Sequence, residues 1–443
     1  MTNIARLAKT FYGGIHPDKS GKELSCNEKL IISPLLDVYN IPLVQNAGKA
    51  PTILIKKGDY VKKYQLIAQA DGFVSSNIHA PTSGTIIDIK PMTSSLGVQV
   101  PTAILEADKL DIAESPFEKI EDWQNVDTKE LLARVGDAGI VGMGGASFPA
   151  RVKLSPPPEK NIDTLILNGA ECEPYLTADH RLMLDYPEKV VTGAAISARI
   201  LGVKNIFIGI EINKIDAIKS LTPYAEKYNV KIVPLKVSYP QGSEKQLIEV
   251  ITNRQIPTGS LPMDVHCVVQ NVGTASAIAD AVLEGIPSIE RIVTVTGSCI
   301  AKPGNYKLRI GTPAIKAIEL AGGIKTEPAK LIFGGPMMGF AQKTFDANVT
   351  KNTSGILLLS SKEALTYESN GACIRCGKCV AACPIRIQPC LLATAIESNR
   401  TDLAAINHVM DCIECGACAY VCPAHRPLVQ HIRRAKAQLR RQK

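Results

Sequence analysis

The chain has 443 residues, of which 45% are hydrophobic and 21% are charged. This length exceeds what one hydrophobic core usually organises, so we expect several domains, and the composition excludes disordered, collagen-like and coiled-coil proteins. Basic residues outnumber acidic ones by 50 to 42, a mild formal excess of +8.

The N-terminal segment shows no export signal. Residues 1–13 lack the apolar core and small-residue cleavage site of a signal peptide. The longest apolar stretch, residues 190–210, is interrupted by Arg199 and Lys204 and is too polar to span a membrane. We therefore expect a protein of the reducing cytoplasm, where cysteines remain thiols and any membrane contact is peripheral.

The first region alternates short β-prone runs with turns over residues 51–89, which predicts a small β-sandwich. This pattern resembles the barrel-sandwich hybrid of biotinyl and lipoyl carrier domains, where a lysine at a hairpin tip carries the cofactor. No lysine occurs between Lys63 and Lys90. We therefore expect a docking module rather than a carrier and assign a barrel-sandwich hybrid to residues 1–110.

An acidic linker over residues 108–125 precedes a region in which strands alternate with helices. Three strands are predicted over 164–167, 205–210 and 230–235. A helix is predicted over 187–201, and a second one after Asn213 is expected to break at Pro223. Such alternation is typical of a parallel sheet, so we assign a Rossmann-like α/β domain to residues 125–287.

A glycine-rich loop lies at the start of this domain, where residues 139–153 read GIVGMGGASFPARVK. The glycines at positions 142, 144 and 145 allow the backbone to approach a phosphate or a flat ring, and Lys153 supplies a positive charge. The dinucleotide fingerprint is absent, because Ser147 stands where its third glycine belongs. The loop is a candidate cofactor site, with a plain glycine-rich turn as the alternative.

Polar residues follow the first predicted strand of this domain. Asn168, Glu171 and Glu173 lie where ligands usually bind, at the carboxyl end of a parallel strand. Carboxylates at this position can accept hydrogen bonds from ribityl or ribose hydroxyls, with a solvated turn as the alternative. Three other acids are interpreted as ordinary surface or capping residues: Asp179, Asp185 and Glu211.

The next region returns to short strands. Strands over 292–297, 304–310 and 331–333, with a helix over 314–321, predict a compact β-rich module at residues 288–345. The chain then becomes cysteine-rich and helical.

Eight of the 13 cysteines form two copies of the pattern C-x2-C-x2-C-x3-C-P. In ferredoxins of this pattern, three thiolates of one run and the fourth thiolate of the other run hold one cluster. A zinc site usually shows two widely separated pairs instead. We predict a domain with two [4Fe-4S] clusters at residues 362–428. The first cluster would take Cys373, Cys376, Cys379 and Cys422, and the second would take Cys412, Cys415, Cys418 and Cys383. The remaining cysteines are interpreted as small buried hydrophobic residues: Cys26, Cys172, Cys267, Cys299 and Cys390.

The last segment is basic. Seven basic residues and no acidic ones follow Ala424, and without these seven the formal excess falls from +8 to +1. We predict a basic tail at residues 429–443, suited to anionic lipid headgroups or an acidic partner subunit. Nucleic-acid binding is not expected, because few aromatic residues accompany the basic ones.

The polar and glycine-rich motifs resemble, in order, the FMN and NADH site of the NADH-oxidising flavoprotein subunit of respiratory complex I. The resemblance implies that FMN contacts Gly142, Gly144, Gly145, Lys153, Asn168, Glu171, Gly242, Asn271 and Thr274. It likewise implies that NAD(H) contacts Phe148, Glu173 and Glu244. The sequence departs from that family at Met143 (for Arg), Ser147 (for Gly), Ala170 (for Asp), Ser243 (for Glu), Gln270 (for Asn) and Gly273 (for Glu).

Across almost the whole chain the order of motifs resembles the RnfC family, the C subunit of the Rnf complex, an ion-translocating ferredoxin:NAD+ oxidoreductase of bacterial membranes. The additional motifs are residues 13–17 (GGIHP), Pro303-Gly304, residues 334–339 (GGPMMG) and the second cysteine run. This resemblance implies that the β-rich module is a β-grasp module of the SLBB type. The overall fold class is then multidomain α/β with a helical two-cluster ferredoxin domain at the C-terminus.

The resemblance also implies a function. FMN exchanges hydride with NAD(H), and single electrons pass through two [4Fe-4S] clusters to or from the other Rnf subunits, with ferredoxin contacted indirectly. No side chain is expected to act as a catalytic acid or base. The protein would lie at the cytoplasmic face of the membrane as a peripheral subunit. Two alternatives remain: a cobalamin reductase of the propanediol-utilisation type, and a non-catalytic docking scaffold.

Overall fold

The computed structural model describes residues 6–114, 117–364 and 371–441. The strands are β1 (Ile31–Ile32), β2 (Val38–Pro42), β3 (Thr52–Ile53), β4 (Tyr60–Val61), β5 (Leu66–Gln69), β6 (Ile78–His79), β7 (Gly84–Thr93), β8 (Gln99–Ala107), β9 (Thr164–Asn168), β10 (Asn205–Glu211), β11 (Lys231–Leu235), β12 (Cys267–Asn271), β13 (Glu290–Thr296), β14 (Gly304–Arg309), β15 (Lys330–Phe333), β16 (Phe340–Gln342) and β17 (Gly355–Leu359). The α-helices are Thr128–Asp137, Ala150–Lys153, Ala178–Asp185, Pro187–Leu201, Ile215–Lys227, Glu244–Thr252, Val272–Leu283, Ala314–Leu320, Ser361–Ala364, Lys378–Ala381, Pro389–Glu397, Thr401–Ile406, Ala417–Tyr420 and Leu428–Arg441.

Two small antiparallel sheets form the N-terminal domain, in the orders β2-β8-β7-β4 and β3-β5-β6. Their inward side chains, among them Ile41, Ile67 and Leu105, form one apolar core, as expected where apolar and polar residues alternate along a strand. The β-prone run over residues 73–78 predicts a strand, but in the structure only its last residue, Ile78, belongs to one. The amide N–H of Ala70 bonds to the side chain of Asn77 at 2.8 Å, which satisfies the backbone outside the sheet ladder.

A parallel sheet in the order β11-β10-β9-β12 forms the centre of the α/β domain. Its strands confirm the three predicted ones and add β12, and the helix Pro187–Leu201 is the predicted one. The helix Ile215–Lys227 continues through Pro223, so the predicted break is wrong. Leu221 and Ala225, on either side of the proline, are buried in one core, and this packing outweighs the lost backbone hydrogen bond.

A six-stranded sheet in the order β1-β14-β13-β17-β15-β16 packs against the helix Ala314–Leu320. It contains the three predicted strands of the β-rich module. It also takes in β1 and β17, which lie outside the range 288–345. The domain limits themselves stay predictions.

The two cysteine runs fold alike. In each run a glycine with positive φ, Gly377 at 74° and Gly416 at 83°, precedes a one-turn helix. A longer helix follows, Pro389–Glu397 after the first run and Leu428–Arg441 after the second. These helices bury Leu392, Ile396 and Ile432 against each other. No helix in the described ranges is long and apolar enough to cross a lipid bilayer.

The segment predicted as a basic tail forms a packed helix instead. Ile432 and Ala435 are buried in the cluster domain, and Lys436 donates to Glu414 at 2.9 Å. Arg433 bonds to the same carboxylate, also at 2.9 Å. Arg440 and Arg441 remain exposed, and the predicted tail residue Lys443 lies outside the described residues. Ion pairs within the chain therefore neutralise part of the positive charge of the C-terminal segment.

Candidate cofactor and cluster sites

The carboxyl ends of β9 and β12 bring Asn168 and Asn271 side by side in the sheet register. Asn168 donates its side-chain amide to the carbonyl oxygen of Gly242 at 2.7 Å. Asn271 caps the helix Val272–Leu283 by accepting from the N–H of Gly273 at 2.8 Å. Because parallel strands end at one edge, three predicted site residues from distant parts of the sequence meet here.

The glycine loop folds over this edge. The N–H of Met143 donates to the buried hydroxyl of Thr274 at 2.9 Å, and the N–H of Gly142 donates to the carbonyl of Phe148 at 2.8 Å. A side chain at position 144 would place its Cβ 3.0 Å from Asn271, whereas one at position 145 would meet nothing within 4 Å. The loop is thus held at Gly142 to Gly144 and leaves open space above Gly145.

Lys153 ends the short helix Ala150–Lys153 that follows the loop, and its positive charge is paired with a carboxylate. Its ammonium group donates to Glu244 at 2.9 Å and to the carbonyl of Val269 at 3.0 Å. Both side chains are partly exposed. The structure therefore brings together two residues that the resemblance assigned separately, one to FMN and one to NAD(H).

Glu171 acts as a helix cap in the structure. Its carboxylate accepts hydrogen bonds from the N–H groups of Asp179 and His180, at 2.7 and 3.2 Å, at the start of the helix Ala178–Asp185. Lys22 donates to the backbone carbonyl of Glu171 at 2.8 Å, and burial lowers the pKa of Lys22. Both carboxylate oxygens are engaged by backbone, so contact of Glu171 with a cofactor stays a prediction.

Glu173 contacts the GGPMMG motif. Its carboxylate accepts from the N–H groups of Met337 and Met338, at 3.1 and 2.9 Å. A Cβ at Gly335 would lie 2.2 Å from this carboxylate, so the motif fits closely around it. Burial raises the pKa of Glu173 to about 7. The structure thus uses Glu173 to join the α/β domain to the β-rich module.

Two acids that the sequence pattern indicated as ordinary lie next to the site, Glu211 buried and Asp179 partly buried, so that interpretation is wrong for them. Glu211 is 1% exposed and pairs with Lys214 at 3.2 Å. Asp179 accepts from Asn271 at 2.7 Å, and burial raises the pKa of Asp179 above its ordinary value. Asp185, in contrast, pairs with Arg181 on its own helix. The position of Glu211 in the sequence could have indicated its role, because Glu211 ends a strand at the same edge of the sheet as the site.

Arg291 is a site residue that the sequence did not indicate. It reaches from β13 under the glycine loop and donates to the carbonyl of Met143 at 3.1 Å. It is 5% exposed, and a Cβ at Gly273 would lie 2.3 Å from its guanidinium group. Two departures from the complex I family, Met143 and Gly273, therefore surround an arginine supplied by a different strand. No local motif around position 291 could have indicated this.

The cysteines of the first predicted cluster line one cavity of about 140 Å³. All four predicted ligands contribute to it, including Cys422 from the second run. Cys379 is buried, whereas Cys373 and Cys376 are exposed. Thiolates from two runs around one cavity are the donor set that a cubane cluster requires.

The predicted ligands of the second cluster also lie together. Burial, and then the neighbouring sulfurs of Cys412 and Cys383, raise the pKa of the Cys415 thiol to about 12. Burial and the same neighbours raise the pKa of the Cys418 thiol. The four sulfurs, from both runs, are thus grouped in a buried site where bound iron would stabilise the thiolate form. The ligand sets stay predictions.

Both cysteine runs contact the α/β domain, the first through the carbonyl of Pro384, which accepts from Gln246 at 3.2 Å, and the second through Cys415. The hydroxyl of Tyr239 donates to the backbone carbonyl of Cys415 at 2.6 Å. Tyr239, Ile15 and Cys415 share one apolar cluster, and Met337 packs against it. The N–H of Gly14 donates to Ala382 at 3.0 Å, so the N-terminal GGIHP segment covers this contact.

Four family models match the chain in sequence order. They are the RnfC barrel sandwich hybrid domain at residues 9–110, the Nuo51 FMN-binding domain at 135–280, the SLBB domain at 292–341 and a 4Fe-4S dicluster domain at 365–426. The predicted fold class, FMN and the two [4Fe-4S] clusters are thereby confirmed at the level of domains. Fold and sites together define a flavin and iron–sulfur electron-transfer protein.

Relatives of nearly the same length narrow this class. The chain is 47% identical to the C subunit of the proton-translocating ferredoxin:NAD(+) oxidoreductase complex of Clostridium ljungdahlii, over 98% of this chain and 95% of the relative. It is 44% identical to the Na(+)-translocating counterpart of Acetobacterium woodii, over 97% of each. The C subunit of the ion-translocating oxidoreductase complex of Rhodobacter capsulatus is 43% identical, over 96% of this chain and 82% of the relative. The chain belongs to the RnfC family, the C subunits of Rnf complexes, which supersedes the cobalamin reductase alternative.

A solved structure of an NAD+-reducing [NiFe]-hydrogenase in the H2-reduced state shares the fold. The match has a TM-score of 0.51 at 17% identity and covers 73% of this chain and 63% of that chain. At this identity the likeness concerns the fold alone.

Proposed function

We propose that this chain binds FMN above the glycine loop, exchanges hydride there with NAD(H), and passes single electrons through two [4Fe-4S] clusters to other subunits of an Rnf membrane complex. The names of the relatives, which are components of ferredoxin:NAD(+) oxidoreductase complexes, support the substrates and the partners. Reduced ferredoxin would reach this protein indirectly, through those partners.

The observation that carries the flavin site is the open space at Gly145. Among the glycines in the described ranges, Gly145 alone has neither a positive φ nor an atom within 4 Å of an added Cβ. Neither backbone strain nor protein packing therefore calls for glycine at this position. A flat ring lying on the loop would require it, because a side chain would occupy the space of the ring.

The residues around this space would bind and orient the flavin. Asn168 and Asn271 offer fixed polar groups at the strand ends, and Thr274 holds the loop through Met143. The Lys153–Glu244 pair at 2.9 Å supplies one positive and one negative group at the site's partly exposed edge. FMN, when bound, accepts two electrons as hydride and releases them one at a time, which clusters require.

The second cluster is proposed to lie nearest the flavin. Tyr239 follows the strand edge of the α/β domain and contacts Cys415 at 2.6 Å. The first cluster would then be the outer one, because Cys373 and Cys376 are exposed and Ile374 between them is 67% exposed. We assign this outer cluster to electron exchange with a partner subunit, and place the chain peripherally at the cytoplasmic face of the membrane.

The flavin site can be tested by a graded series at position 145. The whole chain is purified anaerobically with reconstituted clusters, and FMN retention and the bleaching of the flavin band by NADH are measured. We expect Gly145→Ala to weaken FMN retention and Gly145→Leu to abolish it, with cluster content unchanged. Gly304→Ala is the control, since its Cβ makes only ordinary contact with Tyr306 at 3.4 Å.

Two results would overturn the proposal. A Gly145→Leu variant that retains FMN as the wild type does would show that the flavin lies elsewhere. A wild-type protein that carries FMN but is not reduced by NADH would exclude NAD(H) as the electron donor. A wild-type protein with no flavin at all would instead favour the docking scaffold.

A further inference from the structure

A fifth cysteine lies at the first cluster site. Cys390 lines the same cavity as the four predicted ligands. It is the second residue of the helix Pro389–Glu397, and it packs in the same apolar cluster as Cys379 and Cys422. The sequence pattern alone indicates a small buried hydrophobic residue here, but the position of Cys390 at the cavity gives it a different role.

Cys390 packs near one particular ligand. It lies against the apolar cluster in which Cys379 is buried, and both cysteines line the cavity. Cys379 is buried at 8% exposure, so water competes little for this sulfur. A thiol is a weak donor, but a thiolate sulfur in an apolar cavity is a strong enough acceptor for a thiol hydrogen bond to persist.

The second cysteine run lacks this group and serves as an internal comparison. Cys390 follows the last cysteine of its run, Cys383, by seven residues, and Val429 follows Cys422 by the same interval. Val429 is buried in the apolar cluster that contains Cys418. The two cluster sites therefore differ at matching positions by one hydrogen-bond donor, which valine cannot supply.

We propose that Cys390 donates a thiol hydrogen bond to the Cys379 sulfur and thereby raises the reduction potential of the first cluster. This inference rests on the cluster ligands proposed above. A reduced cluster places more negative charge on its sulfurs than an oxidised one, so a donor stabilises the reduced state more. The outer cluster would hold an electron more tightly than it would with valine at position 390.

The experiment is an anaerobic redox titration of the reconstituted whole chain, followed by electron paramagnetic resonance and iron analysis. Cys390→Val gives the first run the residue that the second run has at the matching position, Val429. We expect it to lower the midpoint potential of one cluster signal and to leave the other signal and the iron content unchanged. Cys390→Ser keeps a donor and should stay close to the wild type.

The reciprocal change gives an independent readout. Val429→Cys adds a donor to the second run and should raise the midpoint potential of the other cluster signal. An unchanged potential in Cys390→Val would overturn the inference. So would loss of half the iron in that variant, because Cys390 would then be a ligand. A wild-type chain without two cluster signals would instead refute the ligand assignment itself, so the two failures are distinguishable.

Discussion

Tyr239 donates its hydroxyl to the backbone carbonyl of Cys415 at 2.6 Å, across the contact between the α/β domain and the second cysteine run. The same hydroxyl lies 3.4 Å from the carboxylate of Glu173, which in turn binds the GGPMMG motif. One side chain therefore joins three parts of the chain. Rigid placement of the second run against the flavin domain follows from this contact.

Removing that hydroxyl should loosen the contact. We expect Tyr239→Phe to lower the free energy of unfolding by about 1–2 kcal/mol, since a buried carbonyl loses its partner. Electron transfer from flavin to cluster should also slow, measured as cluster reduction after rapid mixing with NADH. Tyr12→Phe is the control, because Tyr12 is 59% exposed. Equal stabilities of Tyr239→Phe and the control would contradict this role.

Arg291 should be required for a correctly placed glycine loop. Replacing it by methionine removes the donors to Met143 and Thr353, at 3.1 and 3.2 Å, and leaves two buried carbonyls without partners. We expect a loss of about 2–3 kcal/mol in the free energy of unfolding and weaker FMN retention. Lys219→Met, at an exposed position, controls for the change of charge. Normal FMN retention in Arg291→Met would show that the loop does not depend on this arginine.

Lys351 should make stability depend on pH. Its buried ammonium group donates to Asn77 and Gly139, at 2.5 and 2.7 Å, and burial lowers its pKa from 10.5 to about 7. Between about pH 7 and pH 10.5 this lysine is protonated in the unfolded chain and neutral in the folded chain. The free energy of unfolding therefore increases as the pH rises through this range.

The measurement is urea unfolding of the wild type and of Lys351→Met between pH 6 and pH 10. The stability of the wild type should rise relative to the variant above pH 7, where the group titrates. The slope is limited to about 1.4 kcal/mol per pH unit. Parallel curves for the two proteins would contradict the lowered pKa.

The sequence indicated most of the architecture because its signals are local. Each of these signals depends on residues within a short window of the sequence. They are the spacing of the cysteines, the periodicity of strands and helices, and the proline and glycine at the ends of the helix Pro187–Leu201. Where packing outweighed a local signal, as at Pro223, the prediction was wrong. The interpretation of the last segment failed for a similar reason, because charge alone does not reveal the apolar face of Ile432 and Ala435.

The site was predicted less completely, because its polar network joins distant segments. Lys22, Asp179 and Arg291 come from three separate parts of the chain and meet only in the folded protein. No spacing rule connects them. The resemblance to complex I also could not reveal that Glu171 caps a helix, since a motif identifies residue types and not the direction of a side chain.

The exposed end of the last helix should mediate membrane association. Deleting the segment is a poor test, because Ile432 is buried and Lys436 donates to the backbone of Cys412 at 2.5 Å, so the second cluster would be disturbed. Arg440 and Arg441 are exposed and can be changed alone. The double variant Arg440→Glu/Arg441→Glu should keep its clusters and its reduction by NADH.

Binding of the whole chain to vesicles that contain anionic lipid should fall by roughly thirtyfold or more in this variant, because two basic residues at about 1 kcal/mol each are lost and two acidic residues are added. Vesicles of neutral lipid should bind the wild type and the variant equally weakly. Lys325→Glu/Lys343→Glu makes the same change of charge at exposed positions of the β-rich module and should bind like the wild type. If both double variants lose binding equally, net charge governs the association, and the last helix has no particular role in it.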